Sequence, residues 1–154
     1  MMTDASPRRD NRRATARIMT HEVLKGLAAM ARTSGGDMIQ FLVFSGIWSA
    51  NTQHLIGGKG RYAELTDIPP DSQRRPISEA VLADMLCMPQ DIVARYVEKL
   101  VAEGAAERLG DGLVIPSAVF TRPEMMDRNN EIYARVLSLV SALRGAGFSF
   151  GDED

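Results

Sequence analysis

The 154 residues carry 45% hydrophobic and 25% charged side chains, ordinary proportions for a globular chain, and the length supports one well-buried core rather than two. A formal net charge of −2 gives no whole-molecule pull toward phosphate, so any nucleic-acid contact must come from a local basic patch. The single cysteine, Cys87, excludes an intramolecular disulfide and a cysteine-based zinc site; no cofactor is expected, and without an apolar signal core behind the N-terminal arginines the expected compartment is the cytoplasm.

Residues 1–13, MMTDASPRRDNRR, hold little to bury and read as a disordered basic arm. Through Arg17, five arginines (Arg8, Arg9, Arg12, Arg13, Arg17) stand against Asp4 and Asp10, a local charge of +3. Such an arm can lie on phosphates or enter a minor groove, or it can simply be a solvated tail.

Residues 14–55 form the expected N-terminal helical part, holding core and dimerisation helices. Ile18, Val23, Leu24, Leu27, Ala28, Met30 and Ala31 recur at helical spacing up to Arg32, and Ser34-Gly35-Gly36 ends the run. Asp37 suits the N-cap of a second helix reaching about Gln53, apolar on most faces through Ile39, Phe41, Leu42, Phe44, Ile47 and Trp48. Its apolar run is interrupted and falls short of the ~20 residues that span a bilayer, so it is expected in the core and no membrane partner is expected.

Residues 56–76 read as a connector broken by Gly57, Gly58, Gly60, Pro69, Pro70 and Pro76. The Gly57–Arg61 stretch lacks the GxxxxGK[ST] spacing of a phosphate loop and reads as a flexible turn. Within residues 77–117, Ser78 can cap a helix from Glu79 to Leu86, Pro89 suits the first turn of a helix to about Glu103, and Gly104 can stop it. Two extended runs, Ala105–Leu109 and Leu113–Ser117, then flank Gly110-Asp111-Gly112 as a hairpin. A last helix is expected over 121–145, with Thr121 and Glu124 at capping-box spacing and a stripe of Ile132, Val136, Leu139, Val140 and Leu143; residues 146–154 form an acidic tail.

The order helix, tight turn, helix, stop, hairpin is carried by Leu82-Ala83-Asp84-Met85-Leu86-Cys87-Met88-Pro89-Gln90-Asp91-Ile92-Val93-Ala94-Arg95-Tyr96-Val97-Glu98-Lys99-Leu100, followed by Gly104. This run resembles the L-A-x-x-L-G-x-s-x-x-T-v-x-R-x-v-x-x-L-x-x-x-G pattern of winged helix-turn-helix transcriptional regulators, in register and without a gap. The hairpin RLGDGLVIP is similar to the short Crp-like wing of catabolite-activator-type regulators. The size and flanking helices resemble the multiple-antibiotic-resistance (MarR-like) layout, whose members dimerise through terminal helices.

The resemblance implies a mainly α fold: a winged helix-turn-helix with flanking N- and C-terminal helices and a small β-hairpin wing. It also implies a DNA-binding transcriptional regulator acting on double-stranded DNA, as a homodimer, with any small-molecule effector unidentified. Gln90, Asp91, Ala94 and Arg95 are then the expected groove-facing residues, and Arg74, Arg75, Lys99 and Arg108 the backbone contacts.

Two departures matter, one in the turn, which the fold tolerates, and one on the reading face. Cys87 stands where the pattern has glycine, Ile92 replaces a polar threonine, and Ala94 sits where a longer polar side chain is frequent. Residues 71–116 hold five cations against eight acids, a charge of −3, while duplex affinity comes largely from neutralised phosphates. The alternative is a winged-helix protein–protein interaction module whose acidic second helix docks a basic partner. Whether Arg74, Arg75, Arg95 and Arg108 converge on one face separates the two.

No catalytic constellation stands out: His21 and His54 are isolated, no HExxH or GxSxG spacing occurs, and no enzyme is expected. Cys87 has no basic neighbour in sequence and is expected to be an inert buried thiol. Phe41, Phe44, Trp48 and Tyr62 are expected to pack the core, with an effector pocket as the other reading.

Overall fold

The computed structural model describes residues 10–57 and 60–150, in the order α1 (Arg12–Arg32), α2 (Met38–Thr52), α3 (Glu79–Leu86), α4 (Gln90–Ala102), β1 (Glu107–Leu109), β2 (Gly112–Val114) and α5 (Pro123–Gly145). The fold is mainly helical, with one two-stranded antiparallel hairpin. Residues 1–9 of the basic arm, Gly58 and Lys59 of the glycine-rich turn, and the acidic end 151–154 lie outside the described residues.

Asp37 starts the central helix as its sequence position suggests: its carboxylate accepts the Gln40 N–H at 3.0 Å, satisfying one of the orphan donors of the first turn. Val43, Phe44 and Ile47 on α2 are buried, and they share one core with Leu82 and Ala83 of α3, Val93, Val97 and Leu100 of α4, and Leu113 and Ile115 of the hairpin and its exit. Each such aliphatic side chain contributes about 2 kcal/mol by leaving water. Gly46 lets α2 and α3 meet closely, since a Cβ there would stand 2.9 Å from Leu82 Cδ1.

The α3–α4 corner follows from local chemistry. Ser78 Oγ accepts the Val81 N–H at 3.3 Å and opens α3. Cys87 closes it in the left-handed region (φ 53°, ψ 40°), letting the Cys87 and Met88 amides bond back to Asp84 and Ala83. Pro89, extended at φ −58° and ψ 137°, then delivers the chain into α4. Gly104 (φ +69°) ends the element, and the Ala105 N–H returns to the Leu100 carbonyl at 2.9 Å.

The strands pair Glu107 with Val114, Arg108 with Leu113 and Leu109 with Gly112, and the first is shorter than predicted because the Ala105 and Ala106 N–H groups bond back to the Leu100 carbonyl at the end of α4. Ile77 extends the ladder by one antiparallel bridge to Leu113, so the residue leading into α3 is hydrogen-bonded to β2. Of the hairpin glycines only Gly110 uses positive φ (+59°); Gly112 is required by contact, because a Cβ there would sit 2.5 Å from Pro76 Cβ.

Two boundaries differ from expectation. Helix α1 begins at Arg12, inside the predicted arm, because the Asp10 carboxylate accepts the Arg12 N–H at 3.1 Å and pairs with its guanidinium at 2.9 Å. The Thr121–Glu124 capping box does not form: residues Ser117–Thr121 make a 3-10 turn, Thr121 Oγ1 donates to the Ala118 carbonyl at 2.7 Å, and Arg122 precedes α5 without a side-chain cap.

Helices α1 and α5 pack along each other. At one end Arg128 is buried beneath Phe41 and Phe44, its guanidinium carbon 5.4 and 5.1 Å from their ring centres, and it donates to Thr33 Oγ1 and Ser34 Oγ. Along the same pair Val23, Leu24, Val136 and Leu137 remain exposed.

Candidate functional site

The surface of interest lies where α3, α4 and the hairpin meet. Burial of Val93, Val97 and Leu100 turns the opposite face of α4 outward, which exposes Gln90, Asp91 and Arg95 and leaves Ala94 half-buried. A concavity of about 520 Å³ opens beside them, lined among others by Ser78, Gln90, Ala94, Glu98 and Arg108.

Arg108 does not stand free on this surface. Nη1 lies 3.0 Å from Glu79 Oε1, and Nη2 donates to Glu98 Oε1. Glu98 first and Glu79 second raise the guanidinium pKa, so one strand residue is held by one carboxylate from α3 and one from α4. Lys99 lies 3.9 Å from Asp37 and leans toward the start of α2.

Of the two arginines ahead of α3, only one is superficial. Arg75 is exposed, and its backbone is fixed on both sides by Asn51: its N–H donates to the Asn51 carbonyl at 3.1 Å, and its own carbonyl accepts from Asn51 Nδ2 at 2.7 Å. Arg74 departs from the expected set of phosphate contacts. Its side chain is 1% exposed, stacks 5.1 Å over the Phe120 ring and donates through Nη2 to the Pro69 carbonyl. Burial lowers its pKa against the opposing pull of Asp71. The four arginines expected to converge therefore divide: Arg75 and Arg95 are exposed, Arg108 is held between two acids and Arg74 is interior.

Asn51, which the sequence reading passed over, organises the site from beneath. It is fully buried at the end of α2, donates through Nδ2 to the Arg75 and Leu113 carbonyls, and accepts the Ile115 N–H at Oδ1, 2.9 Å away. One amide thus joins α2, the connector and β2. A primary amide late in an otherwise apolar helix was the available sequence signal.

The expected aromatic cluster splits. Phe41 and Phe44 are core residues packed against Arg128, whereas Trp48 packs on Phe120 at 5.6 Å and lines a separate cleft with Tyr62. Cys87 is exposed, correcting the expectation of a buried thiol; the left-handed residue lies at the outside of the corner, so its side chain projects from the surface.

Among the described residues no group of histidine, cysteine, aspartate and glutamate has the arrangement of a metal site, and no helix is long and apolar enough to cross a membrane. No family model, no curated protein and no solved structure matches this chain.

Proposed function

We propose that the chain is a DNA-binding transcriptional regulator of winged helix-turn-helix type. The observation that carries this reading is the α3–α4 corner: a capped short helix, a left-handed turn at Cys87, and a second helix whose Gln90, Asp91 and Arg95 face outward beside a hairpin. In this reading α4 enters the major groove, Gln90 and Arg95 meet base edges, and Arg75 meets the backbone. The first-turn arginines of α1 and the arm before them add phosphate contacts. A homodimer formed through the apolar strip of α1 and α5 places two such surfaces on one duplex.

A second reading is favoured by the Glu79–Arg108–Glu98 cluster and the interior Arg74. Together they leave the α3–α4 surface short of free cations and rich in carboxylates. A winged-helix module with that surface docks a basic segment of another protein.

Fluorescence anisotropy with random duplex at low and moderate salt separates them. The regulator binds at low ionic strength, with affinity falling as salt rises, and Arg75→Ala together with Arg95→Ala weakens it. Absence of salt-dependent binding at low ionic strength refutes the regulator reading.

A further inference from the structure

The Arg74 guanidinium is buried with only part of its donors satisfied, and no role in the α3–α4 surface accounts for it. Nη2 has the Pro69 carbonyl at 3.0 Å, but Nε lies 3.6 Å from Asp71 Oδ1, too far for a hydrogen bond, and Nη1 has no acceptor. Asp71 is itself committed to the Ser117 N–H at 2.7 Å. A buried charged donor without an acceptor is strongly disfavoured unless something else completes it.

Arg74 forms part of the lining of a cleft of about 340 Å³ between α2, segment 62–69 and α5. Trp48, Phe120, Ile68 and Tyr133 give it apolar walls, and Asn130 adds an amide. The volume is at the lower end of the range for small-molecule sites, enough for one ring or a short alkyl chain. Glu64 and Asp67 also line it and oppose negative charge on any occupant, so at most one anionic group, paired with Arg74, is accommodated.

We propose that this cleft binds a small organic monoanion, its carboxylate accepting from Nη1 of Arg74 and its apolar body lying on Trp48, Phe120 and Tyr133. Nη1 is covered in the structure, so entry of the head group includes a local rearrangement that opens Nη1 to the cleft. This site does not depend on the DNA reading: it stands or falls without a duplex present.

The chain's single tryptophan, Trp48, reports directly on the cleft. The full chain is titrated with 3-phenylpropionate and octanoate, and with their primary amides, while Trp48 emission is followed. The expected result is a saturable change with at least one acid and about tenfold weaker binding of its amide, the scale of one charge-assisted pair. Arg74→Gln removes the preference for acid over amide. Tyr133, 66% exposed, is replaced without disturbing the core; Tyr133→Asp takes an apolar contact from both ligands and adds a charge that only the acid meets, so the acid weakens severalfold more than its amide. The proposal is overturned if neither acid gives a saturable change up to about 10 mM, or if acid and amide bind alike. If Arg74→Gln fails to fold, the Tyr133→Asp comparison decides: equal loss for acid and amide, or no loss for either, rejects the Arg74 pairing.

Discussion

Asn51 Oδ1 accepts the Ile115 N–H at 2.9 Å from a side chain with no solvent exposure, and the same amide donates to the carbonyls of Arg75 and Leu113. Asn51→Leu keeps much of the volume but strips the Arg75 carbonyl and the Ile115 N–H of their partner, while the Leu113 carbonyl keeps the Ile77 N–H, for an expected loss of about 3 kcal/mol. Asn51→Asp is worse, because a carboxylate meets two carbonyl oxygens without a proton to offer. Urea unfolding of both variants checks the order; equal stability to the parent would show that water replaces the amide at no cost.

Gly112→Ala is expected to cost about 1–3 kcal/mol, since the new methyl meets Pro76 Cβ at 2.5 Å and the Ile77 nitrogen at 3.3 Å, and backbone cannot yield. Gly46→Ala is expected to be milder. Its obstacles are the ends of the Leu82 and Leu86 side chains, which can rotate. Thermal melts of the pair give the ranking.

Cys87→Gly is expected to stabilise the chain by about 0.5–1 kcal/mol, the relief of a left-handed Cβ less the greater freedom of glycine in the unfolded chain. Because the thiol is exposed, native protein should also react with a thiol reagent without unfolding. A reaction rate tied to global unfolding would contradict the exposed placement.

Much of this corner was legible in the sequence because its determinants are local. Ser78, Pro89 and Gly104 each act on backbone within one helical turn, and Asp37 likewise marks the first residue of α2. The failures are non-local. Arg74 reads as a surface cation beside Arg75, and only the arrival of Phe120, far along the chain, makes it interior. Glu79, Glu98 and Arg108 carry no pairing signal in sequence, since their meeting depends on the crossing of α3, α4 and β1. The Thr121–Glu124 spacing was a true local motif that lost to a competing turn ending at Thr121.

Acid should loosen two specific junctions. The Gln40 N–H lowers the Asp37 pKa and the Ser117 N–H lowers that of Asp71. Both carboxylates therefore bind fewer protons in the folded than in the unfolded chain, and stability rises with pH across the interval between the lowered and ordinary values. Their contribution is present above the ordinary aspartate range, near pH 4, and is lost as pH falls through it toward the lowered pKa. Melting temperatures followed from about pH 6 to about pH 3 should fall less steeply in Asp37→Asn and Asp71→Asn, both of which start lower. A parent-like slope in either variant removes that residue from the account.

Freeing Arg108 discriminates between the two functional readings. Glu79→Gln with Glu98→Gln removes two negative charges and releases a cation beside Gln90 and Ala94. A duplex reader gains affinity by about tenfold and a steeper salt slope, whereas a module that docks basic segments loses affinity for a polylysine probe. Anisotropy measured with both probes on the same preparation decides the direction.

Arg128 has a different consequence. Among the described residues it is paired with no carboxylate, only with two hydroxyl oxygens and two ring faces. Its acceptors do not titrate and carry no charge for added ions to shield, so these contacts depend on no carboxylate's protonation, unlike the Asp37 cap at the end of the same turn. The Arg128 contacts thus differ in kind from the carboxylate-held junctions at Asp37, Asp71 and Arg108, and a change of medium that moves those leaves the Arg128 hydroxyl and ring contacts without a direct cause to move.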